Sequence, residues 1–327
     1  MRYNYTVAKD RMREAIVNFP KQFKYEPKVE NAVGHLVKFE RFALMGMGGS
    51  ALIGDLIKKL DPDLDIVVHK GYGLPRGVDL NGRLLIFVSY SGNTEETLDA
   101  FDYALKAGHH LAVVGTGGKL LDKAKKIGIL YVELPNTDVQ PRVSLGFQIR
   151  AVLTLMQQSG LYKEVGKLAT VNFKGLEKEG EKLAKGIAGK IPLIYASGDN
   201  GTIAYNWKIK FNETGKIPAF WSVLPEANHN EINGFGGTEK KLSNFVCLFI
   251  KDDRDHSRVK KRMTVLGAVY KELGLSVKTI PLKGKSEAQK LFGSLILGDW
   301  TAYYTAKVYG NEANEVPLVK KFKKLIG

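Results

Sequence analysis

The chain has 327 residues, of which 44% are hydrophobic and 25% charged, and its formal net charge is +15. A single hydrophobic core stops growing at about 250–300 residues, so this length predicts two domains. No stretch reaches the ~18 uninterrupted apolar residues of a membrane span, and no apolar run follows Arg2 in the polar opening Met1–Asp10. The reading therefore has no membrane segment and no secretory signal, and the cytoplasm is the expected compartment. The lysines are mixed with acids, as in Glu177-Lys178-Glu179-Gly180-Glu181-Lys182. The one cluster, Lys320-Lys321-Phe322-Lys323-Lys324, reads as a solvated helix face and not as a nucleic-acid surface. The single cysteine, Cys247, sits within an apolar run and reads as core.

In chain order, Arg41–Met45 reads as a strand, followed by a glycine loop and a helix from Ser50 to Leu60. Strands are expected at Asp65–His69, Arg83–Val88, His110–Val114 and Ile129–Val132, with helices at Thr94–Lys106 and Lys119–Lys126. Val143–Ser159 reads as one long helix. After a Lys/Glu/Gly-rich connection the alternation restarts: strand Ile191–Ala196, helix Gly201–Glu213, strands Ala219–Val223 and Phe245–Ile250, helix Arg258–Leu273, strand Ser276–Ile280 and helix Ser286–Val308. Continuous Val/Ile/Leu strands between helices predict an α/β fold with parallel sheets covered on both faces. The expected division is a first domain over 1–160, a helical connection over 161–190 and a second domain over 191–327. The two halves echo each other, with Gly46–Ser50 matched in position by Ser197–Gly201.

Gly46-Met47-Gly48-Gly49-Ser50 lies between a strand and a helix, where glycines let the backbone approach an anion at a helix N-terminus. With Ala51 it also fits a dinucleotide fingerprint, but that needs an acidic residue ending the second strand, and His69-Lys70 stand there. The segment Ser89-Tyr90-Ser91-Gly92-Asn93-Thr94 is more informative. Three hydroxyls, Ser89, Ser91 and Thr94, share one turn with Gly92 and open a helix, which suits a cage for a phosphate. The plainer alternative is an N-cap by Ser91 or Thr94. The matching loop of the second half lacks this pattern.

This strand–Ser-x-Ser-Gly-x-Thr–helix segment resembles the sugar isomerase (SIS) domain family. Together with Met45–Ser50 upstream and Asn228-His229-Asn230-Glu231 downstream, it is similar to the archaeal-type bifunctional phosphoglucose/phosphomannose isomerases. The resemblance spans nearly the whole chain as two tandem SIS domains. It implies aldose–ketose isomerisation of hexose 6-phosphates, a homodimer with shared active sites, and no cofactor, metal or nucleic acid.

Such a reaction needs a proton-transferring base, an acid–base pair to open the sugar ring and a cation for the enediolate. Glu213 closes a predicted helix beside Gly215, where the negative end of the dipole favours the base form. Sequence alone favours a surface glutamate; the resemblance reverses this and makes Glu213 the base. His229, whose side-chain type titrates near neutrality, is the expected ring opener, which the resemblance implies is supplied by the neighbouring subunit. Arg142 is expected to hold negative charge, the alternative being a surface pair with Asp138. On the last helix the resemblance implies a sugar-contacting Lys307 and a C2 pocket shaped by Thr301. These two stand about 120° apart around an ideal helix. The phosphate is assigned to Ser50, Ser89, Ser91 and Thr94, with the Gly49 amide. The rival reading is a non-catalytic sugar-phosphate regulator, but the first ~40 residues, broken by Pro20 and Pro27, do not pattern as a helix-turn-helix segment.

Overall fold

Runs of Val, Ile and Leu, buried on both faces in the central strands, build two parallel sheets in a computed structural model that describes residues 10–32, 37–137, 139–237 and 242–326. The first sheet holds β1 (Arg41–Gly46), β2 (Asp65–His69), β3 (Arg83–Val88), β4 (His110–Gly115) and β5 (Leu130–Glu133), in the order β2-β1-β3-β4-β5. The second holds β6 (Ile191–Ser197), β7 (Phe220–Leu224), β8 (Phe245–Lys251) and β9 (Ser276–Pro281), in the order β7-β6-β8-β9. All pairings between neighbours are parallel, with Arg41 opposite both Asp65 and Arg83 in the first sheet. The two sheets repeat one strand order, and β5 extends only the first.

Most predicted helices begin and end within a few residues of the expected positions, and the structure adds helices that the sequence reading did not place; all are numbered in chain order. They are α1 (Arg11–Asn18), α2 (Gly48–Leu60), α3 (Glu95–Lys106), α4 (Gly118–Ile127), α5 (Leu145–Leu155), α6 (Ser159–Gly166), α7 (Gly175–Gly186), α8 (Gly201–Lys210), α9 (Ala227–Asn230), α10 (Ser257–Glu272), α11 (Glu287–Val308) and α12 (Pro317–Ile326). The expected single helix over Val143–Ser159 is instead a 3-10 turn at Pro141–Val143, then α5, then α6. Gln157 between the last two takes a left-handed φ of 54°, which stops the first helix. The Lys/Glu-rich stretch between the sheets is packed: at Gly180 a Cβ would lie 2.5 Å from Trp300 Cβ, so α7 lies directly on α11.

One core runs through both halves and includes Leu44 and Ile86 of the first sheet, Ile194 and Leu248 of the second, and Trp207 and Phe292 between them. Cys247 is buried on the other face of β8, where burial pushes its thiol pKa up to about 12 and leaves it a packing residue. Before β1 the described residues 10–32 hold α1 and a 3-10 turn, with no second α-helix of a helix-turn-helix.

Candidate active site

The first sheet reverses its strand order between β1 and β3, the place where open parallel sheets bind ligands at their carboxyl edge. The loop after each strand arrives there. Ser89 Oγ and Thr94 Oγ1 lie 2.9 Å apart. Thr94 heads α3 yet makes no side-chain bond to its own helix, so its hydroxyl is turned into the loop. An N-cap would use that hydroxyl on the first-turn amides, and Thr94 does not. The Tyr90 amide donates to Ser50 Oγ at 3.2 Å and ties the two loops together. Ser50 and Ser89 are buried, whereas Ser91 is exposed and accepts from the Asn93 amide at 3.3 Å.

A third loop, which sequence reasoning missed, braces this cage. Gly92 has φ +68°, and a Cβ on it would fall 1.7 Å from the Gly117 carbonyl. Thr116 Oγ1 donates to the Tyr90 carbonyl at 2.7 Å, and the Leu120 amide to that of Gly92 at 2.9 Å. The signal was the pair Gly117-Gly118 after β4, whose positive φ values allow this close approach.

Gly49 links the cage to a second cluster. A Cβ there would sit 3.0 Å from the backbone of Pro141, so the first turn of α2 lies on the turn that carries Arg142. Arg142 is only 3% exposed and donates from all sides of its guanidinium. Nε meets Thr214 Oγ1 at 2.9 Å, and Nη2 meets the carbonyls of Ala313 at 2.9 Å and Asn314 at 2.8 Å. Nη1 lies 3.5 Å from Glu213 Oε2. Burial draws the guanidinium pKa down, and the carboxylates of Glu213, Asp299, Glu312 and Glu315 oppose that shift. Asp138, the alternative partner, lies outside the described residues.

Glu213 is carried where α8 widens into a π-turn, Phe211–Gly215, instead of continuing to the predicted helix end. Such single π-turns mark functional sites often. The Glu213 side chain is 34% exposed, so one carboxylate faces both solvent and Arg142. Below the turn, Lys210 Nζ meets Asp299 Oδ1 at 2.5 Å in a fully buried pair between α8 and α11, with Asp299 Oδ2 unpartnered among the described residues. Burial pushes the lysine pKa down and the aspartate pKa up, and each opposes the other's shift. Sequence reasoning also missed this pair, because a lysine in a helix gives no sign of its burial.

Three predicted residues are not brought to this cluster. His229 is exposed on α9, and among the described residues no side chain bonds its ring. Lys307 is 52% exposed and pairs with Asp10 at 2.9 Å, with its amine 5.2 Å from the Tyr303 ring centroid. Thr301 is fully buried, donates to the Leu297 carbonyl at 2.8 Å and lies under Gly180 of α7, so it lines no pocket. The face of α11 turned to the site is that of Ala302 and Thr305, which lie 3.5 and 3.6 Å from a Cβ placed on Gly215.

At the equivalent reversal in the second sheet, between β6 and β8, a cavity of about 580 Å³ is lined by Asp199, Asn200, Asp252 and Asp255 with Lys58 and Lys59. There the Asp255 carboxylate accepts from Ser197 Oγ at 2.5 Å and Asn200 Nδ2 at 2.9 Å. A fixed carboxylate thus sits beside the N-terminus of α8.

Two parallel α/β halves with a hydroxyl cage at the first strand reversal define a double SIS-domain protein. Residues 176–326 match the family described as the bacterial phospho-glucose isomerase C-terminal SIS domain. The chain is 32% identical over 318 residues to a bifunctional phosphoglucose/phosphomannose isomerase of Aquifex aeolicus, covering 95% of this chain and 96% of that protein. It is also 33% identical, over 70% of this chain and 74% of that protein, to a D-glucosamine-6-phosphate 4-epimerase of Sulfolobus acidocaldarius. Tagatose-6-phosphate ketose/aldose isomerase from Escherichia coli shares the fold, with a TM-score of 0.70 at 16% identity over 96% of this chain and 98% of that one. The chain belongs to the bifunctional phosphoglucose/phosphomannose isomerase family, a family of intramolecular oxidoreductases.

Proposed function

We propose that this chain interconverts glucose 6-phosphate and mannose 6-phosphate with fructose 6-phosphate through a cis-enediolate. The observation that carries the reading is the meeting of Arg142 and Glu213, held next to the hydroxyl cage through Gly49. Ser50, Ser89, Ser91 and Thr94 hold the phosphate with the Gly49 amide. Glu213 takes the proton from C2 of the open-chain aldose and returns it to C1, and the guanidinium of Arg142 balances the enediolate charge between these steps. His229 delivers a proton to the ring oxygen and takes one from O1. It does so in the site of a second copy of the chain, as the family resemblance implies. The proposed assembly is therefore a homodimer with shared sites, acting in the cytoplasm with no metal in the reaction. Lys307 and Thr301 have no part in it. Among the described residues no helix is long and apolar enough to cross a membrane.

The test is a coupled assay of purified protein, with chelator, on glucose 6-phosphate, mannose 6-phosphate and glucosamine 6-phosphate in separate reactions. Formation of fructose 6-phosphate from both hexose phosphates supports the proposal. Turnover of glucose 6-phosphate alone keeps the reaction and removes the tolerance of both C2 epimers. Epimerisation of glucosamine 6-phosphate alone moves the chain to the chemistry named for its Sulfolobus relative. Binding of fructose 6-phosphate without any turnover favours the regulator.

A further inference from the structure

The π-turn that carries Glu213 ends on a residue whose backbone and side chain make opposite demands. Lys216 caps the turn with φ 59°, in the left-handed region, and its amide donates to the Phe211 carbonyl. Glycine is the usual residue at such a position, because any Cβ there costs roughly 1–2 kcal/mol. A lysine in its place points to a use for the side chain. That side chain does not extend into solvent: Nζ donates to two backbone carbonyls, those of Glu213 and Glu315. Burial, and next the charge of Arg142, draw its pKa down, while the carboxylates of Glu312, Glu213 and Glu315 oppose this.

Three successive carbonyls after α11 are thereby taken by two cations. Arg142 holds those of Ala313 and Asn314, and Lys216 holds that of Glu315. The same two cations hold Glu213 from both ends, Arg142 at its carboxylate and Lys216 at its carbonyl. The segment Ala313–Glu315, the Arg142 turn and the π-turn are joined at one point, although they come from both halves of the chain.

We propose that Lys216 is a positioning residue: its ammonium clamps the Glu213 turn to the Ala313–Glu315 segment and so fixes where the carboxylate stands against Arg142. This rests on Glu213 being the base.

The discriminating variant is Lys216→Gly, because glycine relieves the backbone while removing the clamp. Its Tm is expected to change little, because relief of the left-handed backbone offsets the loss of the two ammonium bonds. Its kcat on glucose 6-phosphate should fall roughly tenfold to a hundredfold, the scale of a base displaced by about 1 Å, with KM little changed. Lys216→Arg, which restores a long donor, should recover a large part of kcat. Amide hydrogen exchange in residues 312–316 should quicken in Lys216→Gly and return towards the wild-type rate in Lys216→Arg. A Lys216→Gly enzyme with unchanged kcat overturns the proposal, and so does a fall in kcat and Tm together that arginine does not rescue. If the wild-type protein itself turns over no sugar phosphate, the functional reading fails, and the clamp is then judged by exchange alone: unchanged rates in Lys216→Gly overturn it, and quickened rates sustain it.

Discussion

Arg142 and Glu213 stand 71 residues apart in the chain, in different halves, and their charged groups meet at 3.5 Å. The meeting is built from backbone. Gly49 lets α2 lie on the Arg142 turn, the π-turn rotates Glu213 towards it, and the carbonyls after α11 hold the guanidinium in place. A buried arginine with its donors taken has little freedom to move, so the positive charge beside Glu213 is fixed before any substrate arrives. Preorganised charge of this kind costs no reorganisation during the reaction.

Glu213→Gln keeps the shape and removes the proposed base. Turnover of glucose 6-phosphate should fall by about 10³-fold or more, while fructose 6-phosphate binds with nearly unchanged affinity, since the phosphate loops are untouched. Steady-state kinetics with calorimetric binding measures both. Activity close to wild type would remove Glu213 from the mechanism.

Arg142→Lys keeps a positive charge but cannot serve Thr214, Ala313, Asn314 and Glu213 together. Carbonyls left unpaired in a buried place cost about 1–3 kcal/mol each, so the variant should lose stability in urea denaturation as well as activity. Full stability with full activity in this variant would mean that the fork geometry is dispensable.

Most of the sheet was legible in the sequence because its strands are unbroken apolar runs, such as Leu84–Val88, between turn residues. The meeting of Ser89 with Thr94 was legible too, since the two are close neighbours in the chain. The residues that escaped the reading act at long range or through backbone. Lys216 looks like any lysine after a glycine, and Lys210 gives no sign of Asp299, 89 residues on. Helical spacing put Thr301 and Lys307 on different faces, and the structure sends one beneath α7 and the other to Asp10. The long helix expected from Val143 failed because a single left-handed Gln157 leaves no trace in apolar periodicity.

Gly92 and Gly73 both have positive φ, +68° and +64°, but of the two only Gly92 faces another backbone: a Cβ placed on it would stand 1.7 Å from the Gly117 carbonyl. Alanine at Gly73 should cost roughly 1–2 kcal/mol from conformation alone. Alanine at Gly92 should cost more and should also weaken fructose 6-phosphate binding, because the brace behind Ser89 and Ser91 must open. Urea denaturation and calorimetric titration of the two variants measure both effects. Equal effects at the two positions would argue against the brace.

Lys210 and Asp299 form an ion pair inside the protein at 2.5 Å. Removing one partner strands a buried charge, so Lys210→Met or Asp299→Leu alone should destabilise by about 3–5 kcal/mol. The double variant should recover much of that loss, and a double-mutant cycle on urea midpoints reads the coupling. Additive losses would show that the pair is not coupled.

Lys307 offers the sharpest contrast between sequence and structure. Its amine pairs with Asp10, which also caps α1 through the Arg13 amide at 3.1 Å and accepts from Tyr303 Oη at 2.6 Å. Burial works to raise the Asp10 pKa, but the bonds from Tyr303, Lys307 and Arg13 outweigh it and hold the carboxyl below its usual value. A carboxyl lowered in the folded state adds stability above its unfolded pKa of about 3.9, and that contribution is lost as pH falls through the lowered folded value. Lys307→Met should therefore leave kcat essentially unchanged and cost at most about 1 kcal/mol at neutral pH, since both side chains are partly solvated. The stability gap between wild type and Lys307→Met should begin to narrow as the pH falls below about 4, where the unfolded carboxyl takes its proton, and should close once the pH is below the lowered folded value. Thermal melts across pH 3 to 7 and a single set of kinetics suffice, and a large fall in kcat would return Lys307 to the active site.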